Sequence, residues 1–267
     1  MELWQVLVLS IVEGLTEFVP VSSTGHLILM SRLFGLRGPA IDAFSVVVQL
    51  GALLAAVFYY RRTLWDTLVG VVHRKPESLR LVRNLVLGSL PLLAVGYLLG
   101  KRVKALLFAP LPVALALGGG GLLMLALERY RRRSVPPYQQ ANELPAGRAL
   151  VIGLCHLAAL WPGTSRSLAS LSGALLVGLP TAAAADFAFL LALPTLGTAT
   201  VYELLKERQI LFAEIGLLNL SLGLLVSFAV GLLVIASFLR YLRGHGLLLF
   251  ALYRVGLALA VLWLMRS

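Results

Sequence analysis

Glu13-Gly-Leu-Thr-Glu17-Phe-Val-Pro20-Val-Ser-Ser-Thr-Gly-His26 sets two carboxylates, a proline break, a run of hydroxyls and an imidazole inside otherwise apolar sequence. The apolar stretches on either side, Leu3 to Val19 and Ser22 to Phe34, are too short, and the break between them too polar, for two crossings of a bilayer. A helix broken this way inside hydrocarbon exposes backbone groups, which is tolerable only where they are buried in protein or line a wet cavity. The stretch therefore predicts a re-entrant helical hairpin. Ala149 to Trp161 and Ser165 to Val177, broken at Pro162, predict a second one.

Composition agrees with a lipid surrounding. Hydrophobic residues make up 59% of the chain and charged residues 13%, with a mean hydropathy of +0.91, which excludes an ordinary soluble domain. Six stretches are expected to cross the membrane: Asp42 to Tyr60, Leu81 to Leu99, Leu106 to Leu127, Thr181 to Leu205, Ile210 to Leu239 and Gly246 to Met265. The fold class is thus an all-α integral membrane protein, one domain over 1–267, with six transmembrane helices and two re-entrant hairpins. The lone Cys155 can form neither an intramolecular disulfide nor a thiolate cluster and reads as small apolar filler. The start, Met1-Glu-Leu-Trp4, lacks a basic n-region, so the first apolar segment is read as part of the mature protein.

Basic residues orient the bundle. The loops after the first, third and fifth spans hold thirteen Lys/Arg, Arg61, Arg74, Arg129 and Arg240 among them, against eight on the other side, including Arg32, Arg37 and Arg266. By the positive-inside rule the first set is cytoplasmic and both termini lie outside. The net charge of +11 calls for no nucleic acid. Anionic membrane lipids and cytoplasmic loops account for most of it, and an anionic substrate would be drawn to the rest.

The chain repeats itself. Pro20, Ser23 and Tyr60 recur 142 residues later as Pro162, Ser165 and Tyr202, and Asn84, Gly88 and Ala94 recur 135 residues later as Asn219, Gly223 and Ala229. Halves of 1–135 and 145–267, each with one hairpin and three spans, must be inverted relative to each other, which brings the hairpin tips together near the midplane. The tips have diverged in chemistry: Glu13, Glu17 and His26 align with Cys155, Ala159 and Leu168, whereas Thr24 aligns with Arg166.

Glu13 and Glu17 are four apart and share a helical face. Two buried like charges repel, and a divalent cation with hard oxygen ligands, Mg²⁺ or Ca²⁺, relieves both the repulsion and the desolvation. Ser22 or Ser23 at a helix N-cap would aim free N–H groups and the positive end of a helix dipole into the site, which makes an anion cradle. Pro162-Gly163-Thr164-Ser165-Arg166-Ser167 repeats that device, with Gly163 for close backbone approach and Arg166 for bidentate phosphate contact or for pairing with Glu13 or Glu17. His26 has the pKa range of a general acid or base. Asp42 and Asp186 read as caps of their spans, Gln49 as a bridge between helices and Arg254 as the partner of a carboxylate. His73, His156 and His245 form no evident cluster.

Together with Val48-Gln-Leu-Gly-Ala52, Leu160-Trp-Pro-Gly-Thr-Ser-Arg-Ser167, Phe187 to Pro194 and Tyr253-Arg254, the first motif resembles the undecaprenyl-diphosphate phosphatases of bacteria, of the bacitracin-resistance type, over nearly the whole chain. That resemblance implies hydrolysis of undecaprenyl diphosphate to the monophosphate and phosphate on the outer, periplasmic face of the plasma membrane. It implies catalytic and metal-linked roles for Glu13 and Glu17, a nucleophile or phosphate ligand in Ser23, an assisting His26 and a diphosphate-holding Arg166. Ser22, Thr24, Gly163, Thr164, Ser165, Ser167 and Ser170 fall to phosphate binding. Ser170 stands where threonine is common in the family and Asp186 where glutamate is. The rival class is a lipid-phosphate flippase or secondary transporter, which uses the same inverted architecture but needs no nucleophile. The membrane phosphatases with a two-histidine relay are excluded, because no second histidine follows Ser165-Arg166-Ser167 at the required distance.

Overall fold

A computed structural model describes residues 1–107, 109–133 and 135–265. Phe108, inside the expected third span, and Arg266, counted among the outer basic residues, lie outside the described residues. Among the described residues every regular element is helical. Helices α1 (Leu3–Thr16) and α2 (Ser23–Leu33) flank the first break. Next come α3 (Pro39–Val47) and α4 (Gln49–Tyr59), joined across Val48, whose N–H still reaches Phe44 O at 2.8 Å, so that the two form one apolar rod. The first half ends with α5 (Arg61–Val72), α6 (Pro76–Leu107) and α7 (Pro110–Arg131). In the second half α8 (Ala146–His156) runs through a 3-10 turn at Leu157–Leu160 to the second break, followed by α9 (Arg166–Leu176), α10 (Thr181–Ile210), α11 (Leu217–Gly244) and α12 (Leu248–Leu264).

Prolines open several of these helices, Pro39 and Pro110 at the first turn, where the missing N–H has no intrahelical partner to lose. Among the described residues five helical segments are long and apolar enough to cross a membrane: Pro39–Tyr59, Pro76–Gly100, Leu111–Arg131, Thr181–Ile215 and Leu217–Gly244. The expected sixth, Gly246 to Met265, is a helix of 17 residues, about 25 Å long against a hydrocarbon core of about 30 Å. Boundaries also move. Leu106 belongs to the end of α6 rather than the start of the third span, and the boundary placed at Ile210 falls at Gly216, whose φ of +83° separates a π turn at Leu211–Ile215 from α11.

Small residues let backbones touch, as helix association in an apolar solvent requires. The first broken helix packs on α11 and the second on α6. A Cβ on Gly14 would lie 2.8 Å from Val230 Cβ, and one on Gly153 would lie 3.0 Å from Leu87 O. The main core gathers Phe18, Leu168, Phe187 and Phe189 around the second break, with Phe18 and Phe189 edge to face at 4.9 Å. A second cluster of Val6, Leu9, Leu27 and Phe44 backs the first. Glu128, buried at the end of α7, accepts from Arg131 Nη2 at 2.6 Å, Arg132 Nε at 3.0 Å and the Leu247 N–H at 3.0 Å, which docks the start of α12 onto α7. Asp186 corrects its expected capping role. It lies in the second turn of α10 and accepts a 2.5 Å hydrogen bond from Tyr60 OH.

Candidate active site

Both breaks end in the same local device. Ser22 caps α2 with φ +74°, its Oγ accepting from the Gly25 N–H at 3.2 Å; Ser165 caps α9 with φ +78°, its Oγ accepting from the Leu168 N–H at 3.2 Å. A left-handed backbone at two non-glycine residues is strained and persists only where the surroundings impose it. The reward is a pair of helix N-termini with unpaired N–H groups. These caps are 143 residues apart, one more than the repeat of 142 in the sequence, so the first helical residues are Ser23 and Arg166.

Those two residues converge on one carboxylate. Glu17, buried to 6% exposure, accepts from Ser23 Oγ on Oε2 and from Arg166 Nη2 at 3.0 Å on Oε1. Arg166 Nη2 also donates to Gln49 Oε1, so a single polar chain links α2, the first break, α9 and α4. Glu13, one turn before Glu17, is fully buried, and neither of its oxygens has a hydrogen-bond partner. Gly163, with φ +97°, brings the second break against α7. A Cβ there would lie 2.6 Å from Val113 O and 3.0 Å from Ala116 Cβ.

In front of this chain opens a cleft of about 920 Å³. Its floor holds Ser22, Ser23, Thr24, Gln49, Gly163, Ser165 and Arg166, its walls are apolar at Leu27, Ile28, Ile41, Leu160 and Trp161, and Arg32 and Arg37 border it. Hydroxyls, a guanidinium and two helix N-termini beside an apolar wall suit an anionic headgroup on a hydrocarbon tail.

The family model described as "Bacitracin resistance protein BacA" matches residues 6–260. The chain belongs to that family. It is similar to the Undecaprenyl-diphosphatase of Sorangium cellulosum (strain So ce56), with 52% identity over 260 residues, 96% of this chain and 84% of that one. It is also similar to the Undecaprenyl-diphosphatase of Sphingopyxis alaskensis, 40% identical over 264 residues and 98% of each chain, and to Undecaprenyl-diphosphatase 2 of Rhodospirillum rubrum, 43% identical over 256 residues, 96% of this chain and 92% of that one.

Within this BacA-family chain, the sequence-selected residues separate into three groups. Glu17, Ser23 and Arg166 meet directly, and Ser22, Thr24, Gly163 and Ser165 line the same cleft. Ser167 and Ser170 lie behind it: Ser167 Oγ bonds Ser165 Oγ at 2.8 Å and Val19 O at 3.1 Å, and Ser170 Oγ donates to Arg166 O at 2.9 Å. Thr164 is half-buried at the break and does not line the cleft. His26 turns away from Ser23. Its Nδ1 lies 2.7 Å from Ser22 O and its Nε2 2.6 Å from Tyr253 OH, with the two rings stacked. A carbonyl only accepts, so Nδ1 carries the proton; in the neutral imidazole Nε2 then accepts from the tyrosine hydroxyl.

A divalent cation fits the donor set through Glu13. An ionised carboxylate buried with no donor is costly, and a cation beside it removes that cost. Among the described residues no group of three or more His, Cys, Asp and Glu side chains converges. The two carboxylates Glu13 and Glu17 are hard oxygen donors of the kind that Mg²⁺ or Ca²⁺ takes.

Two residues carry more of the site than sequence reasoning assigned. Gln49 does not simply bridge helices but accepts from the Arg166 guanidinium inside the cleft. Among the described residues Arg254 pairs with no carboxylate. It donates to four backbone carbonyls, Pro20 O and Gly163 O among them. The available signal was that a polar side chain within an apolar span marks function by default.

Proposed function

We propose that this chain hydrolyses undecaprenyl diphosphate to undecaprenyl phosphate and inorganic phosphate in the bacterial plasma membrane, recycling the lipid carrier of cell-wall synthesis and conferring resistance to bacitracin. The single observation that carries the chemistry is Glu17 shared between the Ser23 hydroxyl and the Arg166 guanidinium, two groups that line the cleft. Family membership and the names of the relatives point to the same substrate.

The diphosphate sits at the N-termini of α2 and α9, with Arg166 and the first-turn N–H groups donating to its non-bridging oxygens. Glu17 takes the proton of Ser23 Oγ, which attacks the terminal phosphorus; the bond to the bridging oxygen breaks and the lipid monophosphate leaves. Water then hydrolyses the phosphoserine and releases phosphate. The hydrogen bond from Ser23 to Glu17 favours serine over a directly attacking water. Glu13 and Glu17 would hold a divalent cation, Mg²⁺ or Ca²⁺, which supplies neutralising charge for the diphosphate and the developing oxyanion. His26, tied to Tyr253, orients Ser22 at the cap of α2. The flippase alternative needs charge recognition but gives no reason for a serine hydroxyl on a buried carboxylate.

In the membrane the chain makes six crossings with two re-entrant hairpins, α12 serving as the short sixth span with help from local thinning of the bilayer. The halves 1–135 and 145–267 form an inverted repeat. The matched packing of the first broken helix on α11 and the second on α6 supports this reading. The cleft opens to the periplasm and both termini lie outside, in accord with the basic α4–α6 and α7–α8 connections on the other side.

The test is phosphate release from a long-chain polyprenyl diphosphate by detergent-purified protein, with and without chelator, and a search for phosphoserine with Ser23→Ala as control. Metal-dependent release with a trapped phosphoserine absent from Ser23→Ala supports the scheme. A folded wild type that releases no phosphate overturns it.

A further inference from the structure

Arg254 sits in the middle of α12 with no exposed surface. A buried guanidinium normally faces a carboxylate. Here the four hydrogen bonds of this side chain all end on backbone carbonyls: Nε to Leu117 O at 3.2 Å, Nη2 to Ala116 O at 3.0 Å and to Gly163 O at 2.8 Å, and Nη1 to Pro20 O at 3.1 Å. Two of these acceptors belong to α7. The other two are the carbonyls of the two helix breaks, one from each hairpin. The planar fork therefore spans the break before Ser23 and the break before Arg166 at once, and its geometry sets how far apart they lie.

The place it occupies is cut for it. Residues 118–121 of α7 are four consecutive glycines, a costly run in a helix interior. A Cβ at Gly120 would fall on Arg254 Nη2 and lie 2.8 Å from Cζ, whereas one at Gly119 would meet nothing. Gly120 thus leaves the notch in which the guanidinium lies. Both backbone conformations are ordinary helix, so the glycine is required by space and not by φ.

Resting on the reading of the cleft as the phosphatase site, we infer that Arg254, seated in the Gly120 notch, is a positioning residue that holds the two helix breaks in register so that Ser23 and Arg166 meet on Glu17. It touches no substrate. It acts through Pro20 and Gly163, each three residues before the group it places. Displacement of the guanidinium lets the breaks drift independently, and an error of about 1 Å at such a site costs about a hundredfold in rate.

Gly120→Ala is the decisive variant, because alanine is the better helix former and the substitution removes no bond of its own. The expected result is a fall in kcat of at least tenfold, with KM within about threefold of wild type, in protein that still unfolds cooperatively. A lysine gathers its three donors on one nitrogen where the planar fork spans three elements, so Arg254→Lys falls by a similar factor. The double variant Gly120→Ala/Arg254→Ala shows no further loss beyond Arg254→Ala, since the notch is then empty and the two changes act on one element. Wild-type kcat in Gly120→Ala, or losses that multiply in the double variant, overturn the proposal. If wild type itself releases no phosphate, the phosphatase reading fails instead, and the two failures are told apart by that control.

Discussion

Replacing Glu17 by glutamine tests the centre of the site with almost no change in shape. The carboxylate now accepts from Ser23 Oγ on one oxygen and from Arg166 Nη2 at 3.0 Å on the other. The amide keeps one acceptor, loses the charge and cannot take the serine proton. Loss of a general base lowers rates by about 10² to 10⁴, equivalent to about 3 to 5 kcal/mol of barrier. The Arg166 side chain is 23% exposed and the Glu17 side chain 4%, so the pair is largely shielded from solvent and loss of the carboxylate charge costs about 3 kcal/mol of stability. Arg166 also retains Gln49 as an acceptor. Steady-state phosphate release and thermal unfolding in the same detergent read the two effects separately, with kcat down by about a thousandfold and the midpoint lowered by about 10 °C. A Glu17→Gln enzyme within threefold of wild-type kcat at an unchanged midpoint would refute the assignment of Glu17 as the group that activates Ser23.

Chelator should abolish turnover, and Glu13→Gln should raise the Mg²⁺ concentration for half-activation at least tenfold, because it removes a buried carboxylate that has no donor among the described residues; an unchanged metal titration in that variant would place the cation elsewhere. Gly163→Ala combines a φ of +97° with a Cβ 2.6 Å from Val113 O, so it should lose about 2 kcal/mol of stability and most activity together, read by melting and by phosphate release. For topology, a cysteine introduced at Arg32 on the cleft border in a Cys155→Ala background should react with a membrane-impermeant maleimide added outside intact cells. Labelling only after permeabilisation would reverse the orientation.

Sequence reasoning reached the two helix breaks because prolines, N-cap serines and polar runs interrupt long apolar segments, and those signals are local. It reached Glu17, Ser23 and Arg166 because carboxylate, hydroxyl and guanidinium at membrane depth need partners. It reached the Arg166–Glu17 pair only as one of two choices, since Glu13 shares the same helical face. It missed the working partner of Gln49, the Tyr253 hydroxyl on His26 and the clamp of Arg254, all of which depend on contacts more than a hundred residues apart in the chain.

The amino-acid sequence by itself determined the all-helical membrane class, the positions of both breaks and the chemical inventory of the site, because hydropathy, proline and capping act within a few residues of where they are written. Only the tertiary structure decided which carboxylate meets the serine and the arginine, which is left buried without a donor, and what holds the two breaks together. Those outcomes follow from how the α-helices of the described residues pack against one another, and an arginine among backbone carbonyls has no local signature that distinguishes it from an arginine beside a carboxylate.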